Sequence, residues 1–110
     1  FIENEKVIFV VNNGMLSRAI GQNGKNVKKI ERTLRRKVKI VEFSDNPVEL
    51  IKSYLAPLKI SDIKITGNLV EIKSDSNQQK GILIGRDKKN LQNLKNIVNK
   101  YFKSIQIKIL

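Results

Sequence analysis

The chain has no cysteine, no histidine and no tryptophan in 110 residues, and only two prolines, two tyrosines and four phenylalanines. Each absence removes a class of chemistry. Without cysteine there is no disulfide frame, no thiolate nucleophile and no thiolate zinc site, and without histidine the commonest general base and metal ligand is gone. Acidic residues are scarce as well, ten against 22 Lys and Arg. They do not cluster: Asp45 and Asp62 lie in or beside turns, and Glu3 and Glu5 flank another. Solvated or capping roles suffice for them, and the grouped carboxylates a Mg²⁺-dependent nuclease needs are missing. The expectation is therefore a protein that is not an enzyme, with no catalytic residue, metal, cofactor or small-molecule substrate. No apolar run approaches the roughly 18 residues of a membrane span, and no charged-then-apolar leader is visible. A cytoplasmic location with no membrane partner is expected.

What is present describes a folding chain. A hydrophobic fraction of 40% and a charged fraction of 29% belong to a globular protein, with room for one ordinary domain or two very small ones with marginal cores. The formal charge of +12 calls for a polyanion, nucleic acid first. An anionic membrane fits less well, because neither basic helix has a Trp- or Phe-rich apolar face. The charge is also focused: from Gly14 to Lys39 there are nine basic residues and one acidic residue, Glu31, which is +8 of the +12.

At the centre of that segment lies Ile20-Gly21-Gln22-Asn23-Gly24-Lys25-Asn26-Val27. Before it, Leu16, Ala19 and Ile20 mark one face of a helix of barely two turns, and after it Val27, Ile30 and Leu34 mark a second helix starting near Lys25. Two glycines permit a sharp backbone turn and leave no Cβ to hold a ligand away, while the second helix offers unpaired N–H groups and its positive dipole end. Lys25, Lys28, Lys29, Arg32 and Arg36 form a single stripe on that helix. The turn and stripe together predict a phosphate cradle; a solvated lysine face is the alternative.

Along the rest of the chain, Lys6 to Val11 is read as a buried strand preceded by a turn at Glu3-Asn4-Glu5, with Phe1-Ile2 as the end of an earlier strand. Asn12-Asn13-Gly14 is expected to cap the short helix, and Arg35-Arg36-Lys37 to close the second one. Val38, Ile40 and Phe43 mark a further strand. Ser44-Asp45-Asn46-Pro47 signals a helix start and a boundary between units. An amphipathic helix carrying Leu50, Ile51, Tyr54 and Leu55 then runs to Pro57. Residues 59 to 73 read as a hairpin turning at Gly67-Asn68, and Ser74 to Gln78 as a polar loop.

Ile84-Gly85-Arg86-Asp87-Lys88-Lys89-Asn90-Leu91 then repeats Ile20 to Val27 at an offset of 64 residues, which is an internal duplication. Leu91, Leu94, Val98 and Tyr101 mark its second helix, and Ile105, Ile107 and Ile109 a last strand. One letter breaks the repeat. Lys88 stands where the first turn has Gly24, so a left-handed backbone there carries a cost glycine would not. Phe9, Phe43, Tyr54, Tyr101 and Phe102 lie on or beside apolar faces and are read as core.

The Ile-Gly-x-x-Gly-x-x-aliphatic signature at Ile20 to Val27, with its degenerate copy at Ile84 to Leu91, resembles tandem K homology (KH) domains of type II. Their order, helix-strand-strand-helix-helix-strand, is the one read above for residues 46 to 109. The resemblance covers essentially the whole chain. The spacing of the units, the Val41-Glu42-Phe43-Ser44 exit and the Pro47 to Pro57 helix look closest to the NusA-like transcription factors of archaea. It implies an α+β fold of two units: a KH domain at 1–44, without its N-terminal helix and most of its first strand, and a second at 45–110.

In that family the glycine turn clamps about four nucleotides of single-stranded RNA, whose bases lie in an apolar groove between helix and sheet. Carried over, Gly21, Gln22, Asn23 and Gly24 form the first clamp, supported by Arg18, Lys25 and Lys28. Gly85, Arg86, Asp87 and Lys88 form the second, with Lys89. Asp87 puts an acid where a phosphate should sit, so the first clamp is expected to bind more strongly, or the second to use Arg86, Lys88 and Lys89 as point charges. The partners implied are nascent single-stranded RNA and RNA polymerase. A ribosomal or ribosome-assembly KH protein and a KH-fold protein-docking module without RNA are the alternative readings.

Overall fold

The computed structural model describes residues 2–3, 6–56 and 58–110; the turn expected at Glu3-Asn4-Glu5, the contribution of Phe1 and the helix stop at Pro57 lie outside the described residues. The chain divides into two compact units, Phe1–Asp45 and Asn46–Leu110. Among the described residues no helix is long and apolar enough to cross a membrane.

In the first unit β1 (Ile2–Glu3) pairs antiparallel with β2 (Lys6–Val11), and β2 pairs parallel with β3 (Lys37–Glu42) from Lys6↔Lys37 to Val11↔Glu42. Parallel neighbours cannot be joined by a tight turn and need a crossover of a dozen or more residues. That crossover carries α1 (Leu16–Ile20), a single 3-10 turn at Gln22–Gly24 and α2 (Lys25–Leu34). The amides of Gly14 and Leu16 donate to Glu42 Oε2 at 3.0 and 3.3 Å. The start of α1 is thus held by a carboxylate on β3 and, within the expected Asn12-Asn13-Gly14 cap, by the Asn12 carbonyl, which accepts the Met15 amide at 3.0 Å. At its other end α2 stops at Leu34, Arg35 takes a left-handed conformation, and Lys37 already belongs to β3.

The second unit repeats this plan with one helix more. Asn46 caps α3 (Pro47–Leu55) by accepting the Val48 amide at 2.9 Å, with Pro47 at the first helical position. Proline is tolerated there because its missing N–H would be unpaired anyway. β4 (Ile60–Thr66) and β5 (Leu69–Ser74) form the hairpin around Gly67-Asn68, and β5 pairs parallel with β6 (Gln106–Ile109). The crossover again holds a helix, a 3-10 turn and a helix: α4 (Asn77–Ile84), Arg86–Lys88 and α5 (Lys89–Tyr101). The loop expected over Ser74 to Gln78 is shorter, because Ser76 Oγ accepts the Gln79 amide at 3.2 Å and starts α4 at Asn77. A serine followed by a helix-forming Asn-Gln-Gln-Lys run is an N-cap signal.

The two cores differ in size. Ile8 and Val41 are the buried hydrophobic residues described in the first unit, whereas the second buries Leu50, Ile51, Tyr54, Leu55, Val70, Ile72, Leu83, Leu94, Ile97, Val98 and Ile107. Two aromatics expected in the core are outside it: Phe9 is 38% exposed and Tyr101 39%. Phe9 alternates with buried Ile8 on β2, so the two side chains leave the strand on opposite faces. Tyr101 is the last residue of α5, where the covered face runs out. Tyr54 is buried, and Phe43 and Phe102 are half-buried.

Candidate nucleic-acid interface

Backbone bonds shape the turn between α1 and α2. The Gly21 amide donates to the Ser17 carbonyl at 2.9 Å, ending α1, and the Gly24 amide donates to the Gly21 carbonyl at 3.1 Å. Gly21 sits at φ 79°, ψ 168°, Asn23 at φ 57°, ψ 27° and Gly24 at φ 72°, ψ 18°. Positive φ with ψ near 180° is accessible essentially to glycine alone. Space makes the same demand: a Cβ on Gly21 would lie 2.8 Å from Asn26 Cγ and 2.9 Å from the Asn26 backbone nitrogen. That asparagine is a brace. Its Nδ2 donates to the Arg18 carbonyl at 2.8 Å, tying the first turn of α2 to the last turn of α1.

The second turn reproduces each of these features. Gly85 donates to the Gly81 carbonyl at 2.9 Å and Lys88 to the Gly85 carbonyl at 3.2 Å. Gly85 lies at φ 78°, ψ 169°, and Asn90 Nδ2 donates to the Ile82 carbonyl at 2.8 Å. A Cβ on Gly85 would fall 2.6 Å from Asn90 Cγ. Lys88 occupies the left-handed position of Gly24, at φ 59°, ψ 24°. Losing the glycine has not changed the backbone path; it leaves a lysine in a conformation that costs about 1–2 kcal/mol. Asn26 and Asn90 were not among the site residues chosen from sequence, although the Lys-Asn pair present in both copies was the available signal.

The electrostatics of the first turn are one-sided. Gly24 is the N-cap of α2 and has no side chain with which to cap it, and the first turn of α2 contains no acid. Helix starts ordinarily receive a capping oxygen or a carboxylate, which satisfies unpaired N–H groups and offsets the positive dipole end. Here Lys25 follows instead. An anion brought from outside would offset this positive helix end. Gln22, Asn23, Arg18, Lys25 and Lys28 are exposed around it, and Lys28 Cε lies 3.9 Å from where a Cβ on Gly24 would be. In the second turn Arg86, Asp87, Lys88 and Lys89 are exposed and α5 also begins without a side-chain cap. Among the described residues none of these turn cations forms an ion pair. No three His, Cys, Asp or Glu side chains cluster to hold a metal among the described residues.

A three-stranded sheet whose parallel pair is bridged by helix, glycine turn and helix, with cations around a helix start that no side chain caps, has the anatomy of a KH domain. The KH domain family model matches residues 1–76, and the chain belongs to that family. It is 29% identical over 112 residues to the probable transcription termination protein NusA of Methanocaldococcus jannaschii, a match covering 99% of this chain and 61% of that protein. Proteins of the same description from Methanococcus vannielii (34% over 61 residues, 56% of this chain and 35% of that one) and Halobacterium salinarum (28% over 102 residues, 91% and 73%) are also similar. The chain thus spans less than two thirds of the first two relatives. Among solved structures, the crystal structure of APE1850 matches with a TM-score of 0.69 and 28% identity, covering 97% of this chain and 80% of that one.

Proposed function

We propose that this chain binds single-stranded RNA through two KH domains in tandem, 1–44 and 45–110, as part of a NusA-like transcription elongation, termination or antitermination factor in the cytoplasm. The observation that carries the reading is the uncapped, acid-free start of α2, framed by Gly21 and Gly24 and surrounded by Arg18, Lys25 and Lys28. Phosphates of the strand dock against the backbone of Gly21 to Gly24 at the positive end of α2, where no side chain but the exposed Gln22 and Asn23 stands between backbone and ligand. Gly85, Arg86, Asp87, Lys88 and Lys89 form a second, weaker contact of the same shape. The names of the archaeal relatives support the transcriptional role, with nascent RNA and RNA polymerase as partners.

Replacing Gln22 and Asn23 together by aspartate tests this directly. Both are exposed, so the fold stays intact while two negative charges enter the cradle. Affinity for an unstructured RNA, followed by fluorescence anisotropy, is expected to fall at least about tenfold. For the unsubstituted chain log K should fall by about 0.7 per neutralised phosphate per decade of salt. Unchanged affinity in the variant, or duplex RNA binding as tightly as single strands, overturns the reading.

A further inference from the structure

Along α2 from Lys28 to its C-terminal end, an open hollow of about 800 Å³ is lined by Lys6, Lys28, Arg32, Arg35, Arg36 and Lys37, with Glu31 as its one carboxylate. Glu31 is already engaged: its Oε2 accepts the Val38 amide at 2.9 Å and its carbonyl accepts the Arg36 amide at 3.3 Å, closing the link from α2 to β3. None of the six cations forms an ion pair among the described residues.

Two features of the hollow disfavour folding. Arg35 is held left-handed at φ 55°, ψ 39°, where glycine is the usual helix terminator. Lys6 and Lys37 are partners on neighbouring strands, which sets like charges side by side. Strain and repulsion that persist at one place are a mark of a site whose use lies outside the fold. The second unit has nothing comparable along its helix: the residues matching Lys28 and Arg32 are Gln92 and Asn96, neutral and hydrogen-bonded to each other at 3.0 Å.

We infer that this hollow is a second phosphate site for the same RNA strand, extending the contact of the first unit about 15 Å along α2, the length of ten helical residues. The inference rests on the RNA-binding reading above. Lys28 belongs to both places, reaching toward Gly24 and lining the hollow, so the positive surface is continuous from the clamp to the far end. Guanidinium forks suit phosphate oxygens, and three of the six cations are arginines.

The test uses the full chain carrying Arg35→Gly with Arg36→Gln, and two RNAs: a tetranucleotide that fills only the clamp and a longer unstructured strand. Glycine suits the left-handed position, so this variant removes charge without disturbing the end of α2. The expected result is an affinity loss of about three- to tenfold for the longer strand and none for the tetranucleotide, with the salt slope for the longer strand shallower by about 1.4. An equal loss on both RNAs, or no loss on either, overturns the second site. Loss of binding to a poly-glutamate peptide with RNA affinity unaltered overturns it too, and assigns the hollow to an acidic protein. The aspartate variant at Gln22 and Asn23 runs alongside: if it binds the tetranucleotide as well as the unsubstituted chain does, the clamp reading itself fails, whatever Arg35 and Arg36 show.

Discussion

The two units are the same device set in different amounts of core. Leu94 and Val98 on α5 are 0% exposed, while Ile30 and Leu34, the matching residues on α2, are half-buried and 43% exposed. The difference is α3, which lies against α5 in the second unit and has no counterpart among the described residues of the first. A helix gains most of its stability from tertiary packing of its apolar face. The first unit therefore has less holding it, yet it carries the basic stripe of α2 and the turn with both glycines. The larger core and the basic stripe of α2 thus lie in different units.

Unfolding measurements sharpen that contrast most. Leu94→Ala should cost about 2–5 kcal/mol in urea unfolding, the range for emptying a packed site. Leu34→Ala, at a half-open site, should cost under about 1 kcal/mol; equal losses would mean that the exposed face of α2 is covered in solution. Next comes Gly21→Ala, which adds a methyl group where Asn26 already stands and forces a left-handed alanine. A cost of about 3 kcal/mol is expected from strain and overpacking together, and RNA binding should be lost even where the variant remains folded. Asn26→Ala removes the brace to the Arg18 carbonyl and should cost about 1 kcal/mol. On the proposed reading, in which the first turn is the stronger clamp, its effect on RNA affinity should exceed that of Asn90→Ala. Smallest is Lys88→Gly, which relieves the left-handed lysine and should stabilise the second unit by up to about 1 kcal/mol. A destabilised Lys88→Gly chain would show that the lysine side chain contributes contacts that outweigh its backbone strain.

Much of the fold was legible because its signals are local. Helical spacing of Val27, Ile30 and Leu34, alternation in the strands, the Asn46-Pro47 start and the Gly67-Asn68 turn each report the conformation of the residues that carry them. The duplication was legible for the same reason, since two copies of one motif need no partner to be seen. Pairings across the chain were not. Glu42 holding the start of α1, Glu31 capping the β3 strand and Asn26 bracing α1 all depend on which distant groups the fold brings within about 3 Å. Phe9 and Tyr101 were misread because a stretch can be rich in apolar residues while only one side of it is covered.

From the letters alone came the expectation of a polyanion partner, the absence of residues for histidine or cysteine chemistry, and the place of both glycine turns, because charge, functional groups and steric freedom are properties of residues. The tertiary structure decided which cations share a surface, how deeply each helix is buried, and that Lys88 keeps the path of a glycine. Those outcomes follow from contacts between segments far apart in the chain, where packing and backbone hydrogen bonds outweigh the preference of any single residue.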